Sequence, residues 1–328
     1  MTNWQRPRLR LLAAIALSVA AGAVAAQAYP AKPVTMVVPF TAGGPTDTVA
    51  RSLGQAMTKP LGQTVIIENV GGAGGTVGAT RVKNAAPDGY TVLLHHIGMS
   101  TAPALYRKLP YNPLTDFELV GLIVDVPMTM VARSDFPAKD FKEFINYVKA
   151  NKTKMNLANA GLGAASHLCG LLFQSAIETD FTTVPFKGTA DAMNALLGKQ
   201  VDFMCDQTTN TTGQIKAGTV KAYAVTSAQR VPTLPDLPTM QEAGLKGFEV
   251  GIWHAVYAPK GTPKAAVDKL IAAMQEASKD AEFRKRMAEL GATVYPADRI
   301  NSSALASHLK NEIDKWGPVI KKAGVYAD

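Results

Sequence analysis

Four short segments carry the residues able to bind or react: TAGGPTD from Thr41, VGGAGG from Val70, GLGAASH from Gly161 and KGTADA from Lys187. Each is rich in Gly, Ala, Thr or Ser, and each opens a stretch of helical periodicity. Backbone N–H groups bared at a helix N-terminus, with glycine letting a ligand approach, form an anion site. None of the four contains arginine, so a bidentate guanidinium clamp is not expected from them. Their spacing matches neither G-x-G-x-x-G nor the Gly-Lys-Ser/Thr of a phosphate loop, which argues against nucleotide. On spacing alone two readings stand: a carboxylate site made of N–H groups and hydroxyls, and the ordinary tight turns of any α/β protein.

Catalytic arrangements are poorly supported. Gly98-Met99-Ser100-Thr101-Ala102 follows a strand but ends in alanine where a nucleophile elbow has glycine. Ser166 and His167 are adjacent, and neighbours in a helix start do not face each other. His95, His96, His167, His254 and His308 form no H-E-x-x-H and no Cys/His pair at zinc spacing. No enzyme activity, metal or cofactor is therefore expected. His96, at a strand end, is open to ligand contact or to a satisfied structural role.

The elements that position these segments follow a repeating order. VTMVVPF, from Val34 to Phe40, reads as a strand buried on both faces. Beyond Gly43-Gly44, Pro45 suits a first helical turn, Thr46 a cap, and Asp47 the helix dipole, before the stripe Val49, Leu53, Met57. TVIIEN, the helix TVGATRVKNAA, the turn Pro87-Asp88-Gly89 and YTVLLHH complete a βαβαβ unit, which implies parallel pairing. Its crevice lies at the carboxyl ends of the strands, where TAGGPTD, VGGAGG and His95–Gly98 converge. A second series runs from PMTMVAR to VKAYAVTS, with GLGAASH and KGTADA at helix starts and VDFMCD as a strand. FEVGIWHAVYAP is one more extended run. Two long amphipathic patterns, PKAAVDKLIAAMQEASKDAEFRKRMAEL and SSALASHLKNEIDKWGPVIKKAG, finish the chain. This alternation argues for an α/β protein of two lobes with a groove between them.

Arg6, Arg8 and Arg10 precede an apolar stretch that closes with Ala26-Gln27-Ala28, a secretory signal peptide over residues 1–28 cleaved before Tyr29. The run is short for a membrane span of about 20 residues. The net charge of +8 is scattered among acids, and no basic stripe with interleaved aromatics appears, so nucleic acid is not an expected partner. Export permits a disulfide between Cys169 and Cys205. A small apolar residue at a helix start and another at a strand end nevertheless favour two separate buried cysteines over a bridge.

The segments YPAKPVTMVVPFTAGGPTDTVAR, ENVGGAGGTVGATRVKNAAPDGYTVLL, KLPYNPLTDFE, GKQVDFMCD, LPDLPTMQEAG and KWGPVIKKAG resemble the Bug-type extracytoplasmic receptors of tripartite tricarboxylate transporters. The resemblance covers essentially the mature chain. It implies a two-lobed periplasmic binding protein fold, type II-like, with the ligand cleft between lobes and two crossing segments near Val120–Val126 and Phe248–Tyr257. Lobe one would comprise 29–124 and 250–328, lobe two 125–249. Carried over by position, Phe40, Thr41, Ala42, Gly43, Thr46 and Asp47 would bind a carboxylate from lobe one, largely through main chain. Gly163, Ala164, Ala165, Ser166, Lys187, Gly188 and Asp206 would do so from lobe two. Many members have Gly-Ser where this chain has Gly163-Ala164, and Ser166 is the candidate replacement. HHIGMSTAPALYRKLPY, GAASHLCG, MCDQTTNTT and GIWHAVYAPKGTP resemble the branch that binds acidic amino acids, aspartate above all. Asp206 is the candidate partner for an ammonium, its alternative role being to cap the QTTNTT turn. The implied partner is a membrane permease of one small and one large subunit, served by a monomeric receptor. Another di- or tricarboxylate such as citrate or succinate, and a role as a ligand-presenting sensor, are the alternatives.

Overall fold

The computed structural model describes residues 29–327, so the expected leader lies outside the described residues. β1 (Val34–Val38) forms from the valine-rich run and is buried between β2 (Val65–Asn69) and β3 (Thr91–His96), both parallel to it. The crossovers are α1 (Pro45–Leu61) and α2 (Thr76–Lys83), and α3 (Gly98–Leu105) follows β3. Pro45 sits in the first turn of α1, and Gly62 ends the helix in the left-handed region at φ +73°. Val49, Leu53 and Met57 are buried as the periodicity requires, each contributing about 1.5–3 kcal/mol.

β4 (Phe117–Arg133) is a continuous strand of 17 residues. The second αβ series comprises α4 (Phe141–Ala150), β5 (Asn156–Asn159), α5 (Ala165–Ala176), β6 (Thr182–Pro185), α6 (Thr189–Leu197), β7 (Phe203–Gln207), α7 (Thr208–Lys216) and β8 (Val220–Val225). Last come β9 (Gly251–Pro259), α8 (Lys264–Ala277), α9 (Ala281–Glu289), β10 (Thr293–Val294) and α10 (Ser302–Ala323). The strands run in the order β2-β1-β3-β9-β4-β7-β5-β6, with β8 and β10 also on β4. Phe117–Pro127 of β4 pair with β9, whereas Met128–Ala132 pair with β7 and Thr129–Arg133 with β8. One strand thereby belongs to both lobes. Thr226 ties the two crossing chains: its hydroxyl accepts the Met128 N–H at 2.9 Å and donates to the Val250 carbonyl at 2.7 Å. α10 packs on α3 and β4, and α8 packs on α1, so the C-terminal helices return to the first lobe.

Two expectations need correction. The long pattern from Pro263 to Leu290 is two helices, because Asp280 accepts the Phe283 N–H at 2.8 Å and starts α9 afresh. The cysteines are not separate: Cys169 on α5 and Cys205 on β7 form a disulfide, with Cα atoms 6.0 Å apart. α5 lies directly on β7, and that packing brings together two residues 36 positions apart.

Candidate functional site

The first glycine loop is held from below by Asp47, which is buried and keeps both oxygens occupied. Oδ2 accepts the Gly43 N–H at 2.9 Å and Arg51 Nε–H at 2.8 Å, and Oδ1 accepts Asn69 Nδ2–H at 3.0 Å. Asn69 also donates to the Phe40 carbonyl at 3.1 Å, so the ends of β1 and β2 and the start of α1 are tied together. Burial pushes the Asp47 carboxyl up, but its bonds to Arg51, Gly43 and Asn69 outweigh that and hold it below the usual value. Gly43 has φ +79°, which explains the glycine, and a side chain there would point into open space.

Register places the next group. β3 and β9 pair His96 opposite His254, with ring centroids 5.7 Å apart, and Phe40 stacks on His96 at 4.7 Å. His96 Nδ1 accepts the Gly98 N–H at 3.0 Å, so the neutral ring carries its proton on Nε2. His254 Nδ1 lies 3.0 Å from the Ile252 carbonyl and donates to it, leaving Nε2 to accept the Thr46 hydroxyl at 3.3 Å. Burial drives all three imidazoles toward the neutral form: His95 falls to about 3 and His254 to about 4, while His96 falls well below its usual value.

From the second lobe, the Ala160 N–H donates to Ser166 Oγ at 2.8 Å, which leaves the hydroxyl proton free to donate elsewhere. The Gly163 N–H donates to His167 Nδ1 at 3.3 Å. Asp206, completely buried, accepts the Gln207 N–H at 2.8 Å and Asn210 Nδ2–H at 2.6 Å, and the Thr189 hydroxyl bonds it as well. Burial raises its carboxyl to about 7 against the pull of these donors.

Phe40, Pro45, Thr46 and His96 from one lobe and Ala160, Ala164, Ala165, Ser166, Thr189 and Gln207 from the other line a narrow cavity of about 10 Å³. The N-termini of α1, α5 and α6 meet here, and their cap residues, Gly44, Ala164 and Gly188, make no side-chain cap bond. α4, α9 and α10 instead carry Asp140, Asp280 and Asn301 as side-chain caps. First-turn N–H groups have no partner inside their own helix. At α1, α5 and α6 they are left for an anion, with the positive end of each helix dipole behind them. The lining contains no charged side chain. A larger concavity lined by α1, α8 and α9 has charges of both signs, such as Lys59 and Glu276, and its one helix N-terminus, that of α9, is already capped by Asp280.

Of the residues expected at the site, Phe40, Thr46, His96, Ala164, Ala165 and Ser166 line this space. Ala42, Gly43 and Lys187 are exposed, Lys187 beside a separate surface concavity with Tyr106 and Leu162. Thr41, Asp47, Gly163, Gly188 and Asp206 are not in the lining; Asp47 and Asp206 bond to the loops and helix starts next to it. Gln207, Thr189, Pro45 and Ala160 were not expected. Gln207 and Thr189 directly adjoin expected residues, at a strand end and a helix start, and that adjacency was the available signal.

The lobes meet backbone to backbone. A methyl group on Gly74 would overlap the Leu162 carbonyl, one on Gly188 would overlap Thr41, and one on Gly71 would sit 3.1 Å from the Lys187 carbonyl. The Thr101 hydroxyl donates to the Gly163 carbonyl at 2.9 Å across the same interface. The Tyr106 hydroxyl lies 2.7 Å from the Ala73 carbonyl and 2.8 Å from that of Leu162.

The structure is similar to that of the periplasmic binding protein BugD, at 60% identity and a TM-score of 0.89, covering 91% of this chain and 99% of that one. It is also similar to MatC from Rhodopseudomonas palustris, solved with bound malate, at 45% identity and a TM-score of 0.86, covering 89% and 100%. A UPF0065 protein from the TAR-I ttuE-ttuC' intergenic region of Agrobacterium vitis is 50% identical over 302 residues, 92% of this chain and 87% of that protein. The family model of the tripartite tricarboxylate transporter family receptors matches residues 49–325. With two lobes closed on a small polar space and a family match over nearly all the described residues, the chain belongs to the tripartite tricarboxylate transporter family receptors, periplasmic solute-binding proteins and not enzymes.

Proposed function

We propose that the protein captures a small dicarboxylate of the acidic amino acid type, aspartate foremost, and delivers it to a membrane permease of one small and one large subunit. The observation that carries this reading is the convergence of three helix N-termini without side-chain caps on one small space between the lobes. MatC, solved with bound malate, a four-carbon dicarboxylate, supports a ligand of that kind. On this reading the receptor is an exported monomer whose leader is residues 1–28. Lobe one is 29–124 with 250–328, and lobe two is 125–249.

Thermal denaturation tests it. A ligand at a hundredfold above its Kd stabilises the native state by about 2.7 kcal/mol. At roughly 2–4 °C per kcal/mol this raises the melting temperature by several degrees. Protein unfolded and refolded to strip retained ligand is expected to respond to aspartate, less or not at all to citrate, and not to neutral amino acids. No response to any dicarboxylate would refute the reading.

A further inference from the structure

Gln207 ends β7 and stands as the cap residue of α7, and the residue is only 2% exposed. Its backbone is fully engaged: the N–H donates to Asp206 Oδ1 at 2.8 Å and the carbonyl accepts the Thr211 hydroxyl at 3.3 Å. Its side chain is different. Oε1 is buried, has no hydrogen-bond partner in the protein, and belongs to a residue lining the enclosed space. A buried amide oxygen left unpaired is unfavourable, and native structures rarely keep one without a reason.

The surroundings supply the reason. Around the same space His96 Nε2–H, the free proton of the Ser166 hydroxyl and the first-turn N–H groups all donate. Those donors match carboxylate oxygens, which only accept. The two nearby carboxylates, Asp47 and Asp206, already have both oxygens engaged by protein donors, whereas Gln207 Oε1 has none. We infer that the Gln207 side-chain oxygen determines specificity by accepting a hydrogen bond from a donor on the carbon chain of the ligand. The site then selects dicarboxylates bearing an ammonium or hydroxyl over unsubstituted ones. This rests on the carboxylate reading of the site.

Calorimetry on refolded protein with L-aspartate, L-malate and succinate tests both levels. Wild type is expected to bind at least one donor-bearing ligand about tenfold or more tighter than succinate, since a site built to pair a donor rejects the analogue that lacks it. In Gln207→Leu that ratio falls to within about threefold, through loss of the donor-bearing ligand and not of succinate. Gln207→Glu, close in shape, favours aspartate over malate more than wild type does. Aspartate tightest in wild type identifies the ammonium as the donor, and malate tightest identifies the hydroxyl. A ratio that survives Gln207→Leu, or an equal loss of all three ligands in both folded variants, overturns the inference while leaving the carboxylate site standing. No binding of any of the three to wild type removes the carboxylate reading and this inference with it.

Discussion

The Gly43 N–H and the Asp47 carboxylate, four residues apart, are hydrogen-bonded at 2.9 Å, so the glycine loop is anchored to the helix that it opens. Because Asp47 also serves Arg51 and Asn69, its charge works on the protein and not on the ligand. Asp47→Asn places a donor against the donors of Arg51 or Asn69. The expected cost is about 1–3 kcal/mol of stability. Ligand affinity should change by no more than a few fold, since the side chain does not line the space. Denaturant unfolding and calorimetry check the pair, and a large gain in affinity would show that Asp47 faces the ligand.

Gly188 has extended backbone at φ −174°, which any residue adopts, so its lack of a side chain is not a conformational need. A methyl group there collides with Thr41 across the cleft. Gly188→Ala is therefore expected to fold with its melting temperature nearly unchanged and to lose about tenfold or more in affinity, because the lobes no longer meet. X-ray scattering at saturating ligand should show a larger radius of gyration than wild type. Wild-type affinity with wild-type compactness would dispose of the idea.

Acid should weaken the fold. His95, His96, His167 and His254 are buried neutral, with His167 at about 4 and His95 at about 3, whereas the unfolded ring titrates near 6.5. Their contribution is present above pH 6.5 and is lost as pH falls toward 4, since unfolding then takes up protons. Asp206, raised to about 7 by burial, and Asp125, raised to about 6 by burial and by Glu312, act oppositely, favouring the fold more as pH falls below those values. Four histidines against two carboxyls leave a net uptake of about two protons near pH 5.5. The melting temperature should fall between pH 7 and pH 5, and a flat or rising profile would contradict the neutral assignment.

The Cys169–Cys205 bridge closes a loop of 36 residues, which in the chain-entropy picture stabilises the fold by about 4 kcal/mol. Reduction is expected to lower the melting temperature by roughly 5–15 °C. It should also weaken ligand binding, because the bridge fixes the start of α5 against the strand that carries Asp206 and Gln207. A shift under about 2 °C with verified reduction would show that packing alone holds the two elements.

Local pattern made much of this legible. Val34–Val38, the Pro45 helix start and the stripe Val49, Leu53, Met57 follow from residue type and spacing, and the structure has them. The loops opening α1, α5 and α6 also fall where helix ends meet, whereas VGGAGG packs against Leu162 and Lys187 instead. What was hidden depends on contacts distant in the chain. Nothing local to Cys169 says that β7 runs beneath it, and nothing in TAGG says that Gly43 points outward while Gly188 carries the close approach. Asp206 drew attention as the charged residue, yet the unpaired acceptor is its neutral neighbour Gln207. Telling them apart requires the hydrogen-bond partners of both.

The lining without formal charge has a further consequence for how the receptor answers its surroundings. Salt screens attraction between solvated charges over a Debye length of about 8 Å at physiological ionic strength, and far more weakly between groups in contact with water excluded. A dianion held by N–H dipoles inside closed lobes is of the second kind. Its dissociation constant should stay nearly level from dilute buffer to concentrated salt, so the concentration at which the receptor fills is set by the ligand and not by the salinity of the medium.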